Sequence, residues 1–103
     1  MPCRGGTPPL TAKEVLPLSA QLDNWSVAEH HHIEKTFHFK DFQSALDFVN
    51  RVGSIAETED HHPDICLAWG KVQITSWTHK IGGLSESDFI LAAKIDRAFG
   101  EAN

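Results

Sequence analysis

No stretch of this chain approaches the roughly 18 consecutive apolar residues that a membrane-spanning helix needs, so no such helix is expected. The N-terminus also lacks a basic segment followed by an apolar one, and the expectation is a cytoplasmic protein without a secretory signal. Cations are scarce, with 9 Lys and Arg against 14 Asp and Glu and a net charge of -5. Direct nucleic-acid binding rests on cations that neutralise phosphates, and this balance argues against it. There are only 2 cysteines. Cys3 falls in a loose N-terminal stretch and Cys66 in an apolar run, which suggests no disulfide framework and makes Cys66 a small buried hydrophobe. A Gly-rich phosphate loop, a C-x-x-C pair, an internal repeat and a nucleophile turn around Ser or Cys are all missing.

What remains is patterned as one folded domain over 10–103, after a lead-in over 1–9 that its Pro2, Gly5, Gly6, Pro8 and Pro9 mark as disordered. Thr11 and Glu14 have the spacing of a capping box, with Leu10 and Val15 as its hydrophobic staple. A helix is predicted over 11–21, kinked near Pro17, whose ring clashes inside a continuing helix. Trp25 to Glu29 alternates as a strand. Ile33 to Phe39 does so more clearly, with Ile33, Phe37 and Phe39 on one face and Glu34, Thr36 and His38 on the other. Joined through His30-His31-His32, the two runs read as a hairpin.

A long helix is predicted over 41–57. Phe42, Ala45, Leu46, Val49, Val52 and Ala56 make its core stripe, and Phe48 and Ile55 widen it to about half the circumference. So broad a face means that the helix lies deep in the fold or that its flank meets another subunit. Ile65 to Trp69 is a short apolar strand, and Gly70-Lys71 turns the chain into a strand over 72–79. There Val72 and Ile74 share one face, and Gln73, Thr75, Trp77 and His79 the other. The last helix opens at Ser85-Glu86-Ser87-Asp88, where Ser85 and Asp88 resemble a capping box, and Phe89, Ala92, Ile95 and Phe99 form its buried stripe. The order α-β-β-α-β-β-α predicts an α+β domain with a single four-stranded antiparallel sheet and its helices on one face. The other face would be left free to carry a site.

Chemistry concentrates at Glu57-Thr58-Glu59-Asp60-His61-His62-Pro63 and at Thr78-His79. Histidine exchanges protons near neutral pH, and the surrounding carboxylates, Glu57, Glu59, Asp60 and Asp64, suit an imidazolium acting as a general acid. A metal site built from His61, His62 and His79 is the competing reading. It is disfavoured because adjacent residues seldom turn both rings to one ion. Among His30, His31 and His32, successive strand residues point to opposite faces, so at most His30 and His32 could share a ligand sphere, and a solvated hairpin tip is the simpler reading. Asp88 is open to either role, helix cap or site residue.

Taken together, Glu57, His61-His62-Pro63, Trp69, Thr78-His79 and Gly83-Leu84-Ser85-Glu86-x-Asp88 form a spaced pattern that resembles the signature of the pterin-4a-carbinolamine dehydratases. The resemblance extends from about Leu10 to Phe99. It implies a lyase that removes water from 4a-hydroxytetrahydropterin, the product of aromatic amino acid hydroxylases, to give quinonoid dihydropterin. It implies no metal and no organic cofactor. His61 and His79 match the acid/base histidines, His62 one that mainly holds substrate, and Glu57 and Asp88 the two supporting acidic positions. Asp60 to His62 and Trp77, Thr78, His79 and Lys80 match the stretches that line the pterin pocket. Trp77 stands where smaller residues are common, and His30 to His32 fall outside the pattern. The resemblance also implies a homodimer or homotetramer, with an aromatic amino acid hydroxylase or a transcription regulator as further partner. A non-catalytic role as dimerisation cofactor of such a regulator is the alternative.

Overall fold

Three helices and four strands follow one another in the expected order in the computed structural model, which describes residues 9–22, 24–29 and 31–102, with side chains through residue 100. Most of the expected lead-in, with Cys3, and His30 of the hairpin lie outside the described residues. The elements are α1 (Ala12–Ser19), β1 (Ser26–Ala28), β2 (His32–His38), α2 (Phe42–Glu59), β3 (Asp64–Ala68), β4 (Lys71–Ser76) and α3 (Glu86–Ala102). Among the described residues, no helix is long and apolar enough to cross a membrane.

The capping box forms. The Glu14 amide donates to Thr11 Oγ1 at 3.3 Å, and the Thr11 amide donates back to Glu14 Oε1 at 2.9 Å. Pro17 lies within α1 and supplies no N–H to it, and the helix ends at Ser19, two residues short of the expected bound. Asp41 caps α2 by accepting from the Ser44 amide at 2.8 Å. These backbone hydrogen bonds favour the charged acids, and both Glu14 and Asp41 titrate below the usual carboxylate range.

The strands form one antiparallel sheet in the order β1-β2-β4-β3. Register places Phe37 of β2 opposite Val72 of β4, and Ile65 of β3 opposite Ile74. Alternation then buries Ile33, Phe37, Val72 and Ile74 beneath the helices and leaves Thr36, His38, Lys71 and Gln73 on the open face. Cys66 shares that open face and is exposed, contrary to expectation, because its neighbours Ile65 and Leu67 are the residues that turn inward.

Phe48 departs from the expected stripe. It is 1% exposed within the single chain, so it cannot lie between subunits or at the stripe's edge. Its ring centroid lies 4.9 Å from that of Phe37, 5.2 Å from Phe39 and 5.7 Å from Phe99, which makes it part of an aromatic cluster with those three rings. Ala45, Phe48, Val52 and Ala56 are the buried line of α2, whereas Phe42, at its first position, is 44% exposed. Depth accounts for that buried line, while Leu46, Val49 and Ile55 on the flanks of the arc are half-buried. On the helix-covered face, Asp96 of α3 accepts from Trp25 Nε1, just before β1, at 3.0 Å and from Lys35 Nζ of β2 at 2.9 Å, which ties this side of the sheet to the last helix.

Candidate active site

Helix α2 ends because Asp60 takes a left-handed conformation, with φ 53°. The His61 amide then returns to the Ala56 carbonyl at 3.1 Å, the reach of a Schellman turn. Glycine is usual at such a turn, but Asp tolerates it through its short polar side chain. Pro63 next restricts His62 to extended backbone. The two neighbouring histidines part company: His61 turns inward and is 8% exposed, while His62 stays in solvent and donates from Nε2 to Glu57 Oε2.

The second wall comes from the end of β4. Alternation predicts a strand that continues through His79, with Trp77 and His79 on one sheet face. It stops at Ser76, and His79 instead begins a 3-10 turn over His79–Ile81. The Thr78 amide donates to the Gly83 carbonyl at 2.8 Å and closes the loop, while Gly82 at φ 63° supplies its left-handed corner. Gly83 has no room for a side chain, since a Cβ there would lie 2.6 Å from Pro9 Cβ.

Asp88 joins the two walls from beneath. It is fully buried and its carboxylate accepts four hydrogen bonds. Oδ1 receives His61 Nε2 at 2.6 Å and Ser76 Oγ at 2.7 Å. Oδ2 receives Thr78 Oγ1 and the Ser85 amide, each at 2.9 Å. The Ser85 amide is the reciprocal half of a capping box, but Ser85 Oγ bonds to Thr78 Oγ1 at 2.7 Å instead of closing the other half. Asp88 thus starts α3 and orients His61 at once. A carboxylate on Nε2 holds the imidazole in one orientation with that nitrogen protonated.

Between the walls opens a cleft of about 680 Å³ at the end of the sheet, not on the open face that had been expected to carry it. Asp60, His61, His62, Trp77, Thr78, His79 and Lys80 all line it. Thr78 is nevertheless buried and tied to Asp88, so its hydroxyl is a structural member of the wall. Glu57 stands outside the lining, as the partner of His62, and Asp88 lies behind His61. Among the described residues, no three His, Cys, Asp or Glu side chains are grouped closely enough to hold a metal ion.

The sequence reading missed Ser76. Its signal was a polar residue on the inward face shared by Val72 and Ile74. It also missed His31, whose ring lies 4.3 Å from that of Trp77. No sequence signal pointed there, because the contact joins a hairpin turn to the far end of β4.

The model of the family described as pterin 4 alpha carbinolamine dehydratase matches residues 8–98 of this chain. The chain belongs to that family. A Rubrobacter xylanophilus protein, provisionally named pterin-4-alpha-carbinolamine dehydratase, is 56% identical over 97 residues, covering 94% of this chain and 91% of its own. A protein of Alkaliphilus metalliredigens with the same provisional name is 52% identical, covering 98% and 92%. Among solved structures, a transcriptional coactivator/pterin dehydratase from Brucella melitensis aligns with TM-score 0.83 at 33% identity, covering 87% of this chain and 97% of that one. A pterin dehydratase-like protein, described as a RuBisCO assembly factor of the alpha-carboxysome, aligns with TM-score 0.62 at 21% identity, over 78% and 92%. It shares the fold. In this pterin dehydratase family member, three imidazoles from two walls face one cleft, and such an arrangement can give a proton at one edge of a ligand and take one at another.

Proposed function

We propose that this chain is a hydro-lyase that converts 4a-hydroxytetrahydropterin to quinonoid dihydropterin and water, in tetrahydropterin recycling for aromatic amino acid hydroxylases. The observation that carries the reading is the meeting of His61, His62 and His79 on one cleft, with His61 held by the buried Asp88. The cleft volume of about 680 Å³ lies in the range usual for small-molecule sites.

One imidazolium protonates the 4a-hydroxyl, and the C4a–O bond breaks with water leaving. The nitrogen lone pair at N5 closes a double bond to C4a, and the N5 proton passes to a neutral imidazole. His61 and His79 carry these two transfers, each worth about 10²–10⁴-fold. His62 is exposed and paired with Glu57, which suits a group that holds substrate in place. Trp77 offers an aromatic surface to a flat heterocycle, and Asp60 and Lys80 supply polar contacts at the rim.

The test is a dehydration assay with enzymatically generated 4a-hydroxytetrahydropterin, run with and without a chelator. A rate well above the unaided reaction, unchanged by chelation, is expected. The second reading, a non-catalytic dimerisation cofactor of a transcription regulator, draws on the Brucella melitensis structure, whose description includes a coactivator. That reading leads if the wild-type chain adds nothing to the unaided rate.

A further inference from the structure

The three cleft histidines are not held alike. His61 is fixed by Asp88 and His62 is paired with Glu57, but among the described residues no hydrogen bond or ion pair holds the ring of the exposed His79. Its neighbour is the indole of Trp77, with ring centroids 4.0 Å apart and planes at 67°. Trp77 in turn meets the imidazole of His31, at 4.3 Å and 42°.

His31 does not line the cleft. It sits on the turn between β1 and β2, where its amide donates to the Ala28 carbonyl at 2.9 Å after Glu29 has taken a left-handed φ of 53°. Its Nδ1 lies 3.2 Å from Nδ1 of His32, a spacing at which one ring donates a hydrogen to the other. His32 is the first residue of β2 and faces Ala28 of β1 in register. A line of contacts therefore runs from the sheet through His32 and His31 to Trp77, and from there to His79. The expectation that successive histidines here diverge fails because His31 still belongs to the turn and only His32 to the strand.

An imidazole without a hydrogen-bonding partner turns about its side-chain bonds, whereas proton transfer needs heavy atoms held within about 2.6–3.2 Å. An aromatic wall limits that turning, provided the wall itself is braced. We propose that His31 is a positioning residue for the dehydration reaction: through Trp77 it holds the His79 ring in its working orientation. The proposal rests on the dehydratase reading above.

It is tested with His31→Ala, His31→Phe and Trp77→Ala, using His38→Ala on the open face as the control for loss of a surface histidine. The His79 ring Cε1–H resonance, assigned by its loss in His79→Ala, feels the ring current of the adjacent indole and reports that edge contact. His31→Ala is expected to move that resonance toward its position in Trp77→Ala. It should also lower kcat about 3- to 10-fold with KM little changed, the scale of one aromatic contact. His31→Phe keeps a ring against the indole and should restore both, and His38→Ala should change neither. A His79 resonance unmoved in His31→Ala overturns the proposal, as does a moved resonance with wild-type kcat. Failure of the dehydratase reading looks different: the wild-type chain shows no added rate although the resonance still moves. That result keeps the contact but overturns its catalytic role.

Discussion

Replacing Asp88 by Asn changes one atom of a carboxylate that is fully buried and accepts four hydrogen bonds. An amide has one acceptor oxygen and one donor NH2, so its orientation is decided by which neighbours can reverse roles. The Ser85 backbone N–H cannot, so the amide oxygen must stay on the Oδ2 side, with Ser85 and Thr78. The NH2 then faces Ser76 Oγ and His61 Nε2 on the Oδ1 side. Ser76 accepts by rotating its hydroxyl, but His61 accepts only by moving its hydrogen to Nδ1. Asp88→Asn thus keeps the fold and forces the opposite tautomer on His61. Loss of an orienting carboxylate from a catalytic histidine lowers kcat by about 10²- to 10⁴-fold, and that range is expected here. The stability cost is the exchange of charge-assisted for neutral hydrogen bonds, about 1–3 kcal/mol, which lowers Tm by roughly 5–20 °C. Asp88→Ala is less informative, because it strands several buried donors at about 1–3 kcal/mol each, against a total stability of only about 5–15 kcal/mol. Single-turnover dehydration kinetics, with the His61 tautomer read from its ring 15N shifts, form the assay. A folded Asp88→Asn variant with wild-type kcat would refute the reasoning and leave Asp88 as a helix cap alone.

His61→Ala and His79→Ala should each lower kcat about 10²-fold or more, with the double variant falling short of the summed effects, measured over the unaided background rate. His62→Ala should act mainly on KM, because the contact it removes is made equally in ground and transition states. Phe48→Ala should lower unfolding free energy by about 3–5 kcal/mol in denaturant titrations, by an amount independent of protein concentration, since the ring is buried within one chain. Asp41 is held below its ordinary value by the Ser44 amide, so its stabilisation is complete above the unfolded-state pKa, about 3.9, and is lost as pH falls through the lower folded value. Asp41→Asn keeps a competent cap but cannot titrate, so the fall of Tm between about pH 5 and pH 2 should be shallower than in the wild type.

Periodicity and local chemistry made much of this protein legible in its sequence. The alternation of Ile33, Phe37, Val72 and Ile74 assigned strands and faces, because side chains of a strand project with period two whatever lies opposite. Thr11 with Glu14 marked a helix start, since a cap is a bond between residues only a few positions apart. His61, His62 and His79 stood out by residue type and surroundings, and the structure sets all three on one cleft.

Contacts between distant segments were a different matter. A period states which way a residue points, not what it meets. That Phe48 enters the aromatic cluster with Phe37 and Phe99 follows from how α2 lies over β2 and against α3, and no pattern within α2 carries that information. Asp88 could be read as a cap or a site residue, and only the arrival of His61 and Ser76 from other segments makes it both. The strand predicted to end at His79 ends at Ser76, and Thr78 pairs instead with Gly83, a glycine that packs against Pro9 from the start of the domain. His31 meets Trp77 because sheet order sets β2 beside β4 and brings the hairpin turn next to the end of β4. Local sequence determined the elements and the reactive groups, through interactions that span a few residues. Which of those groups touch was decided by register and helix packing, where many weak long-range contacts act together.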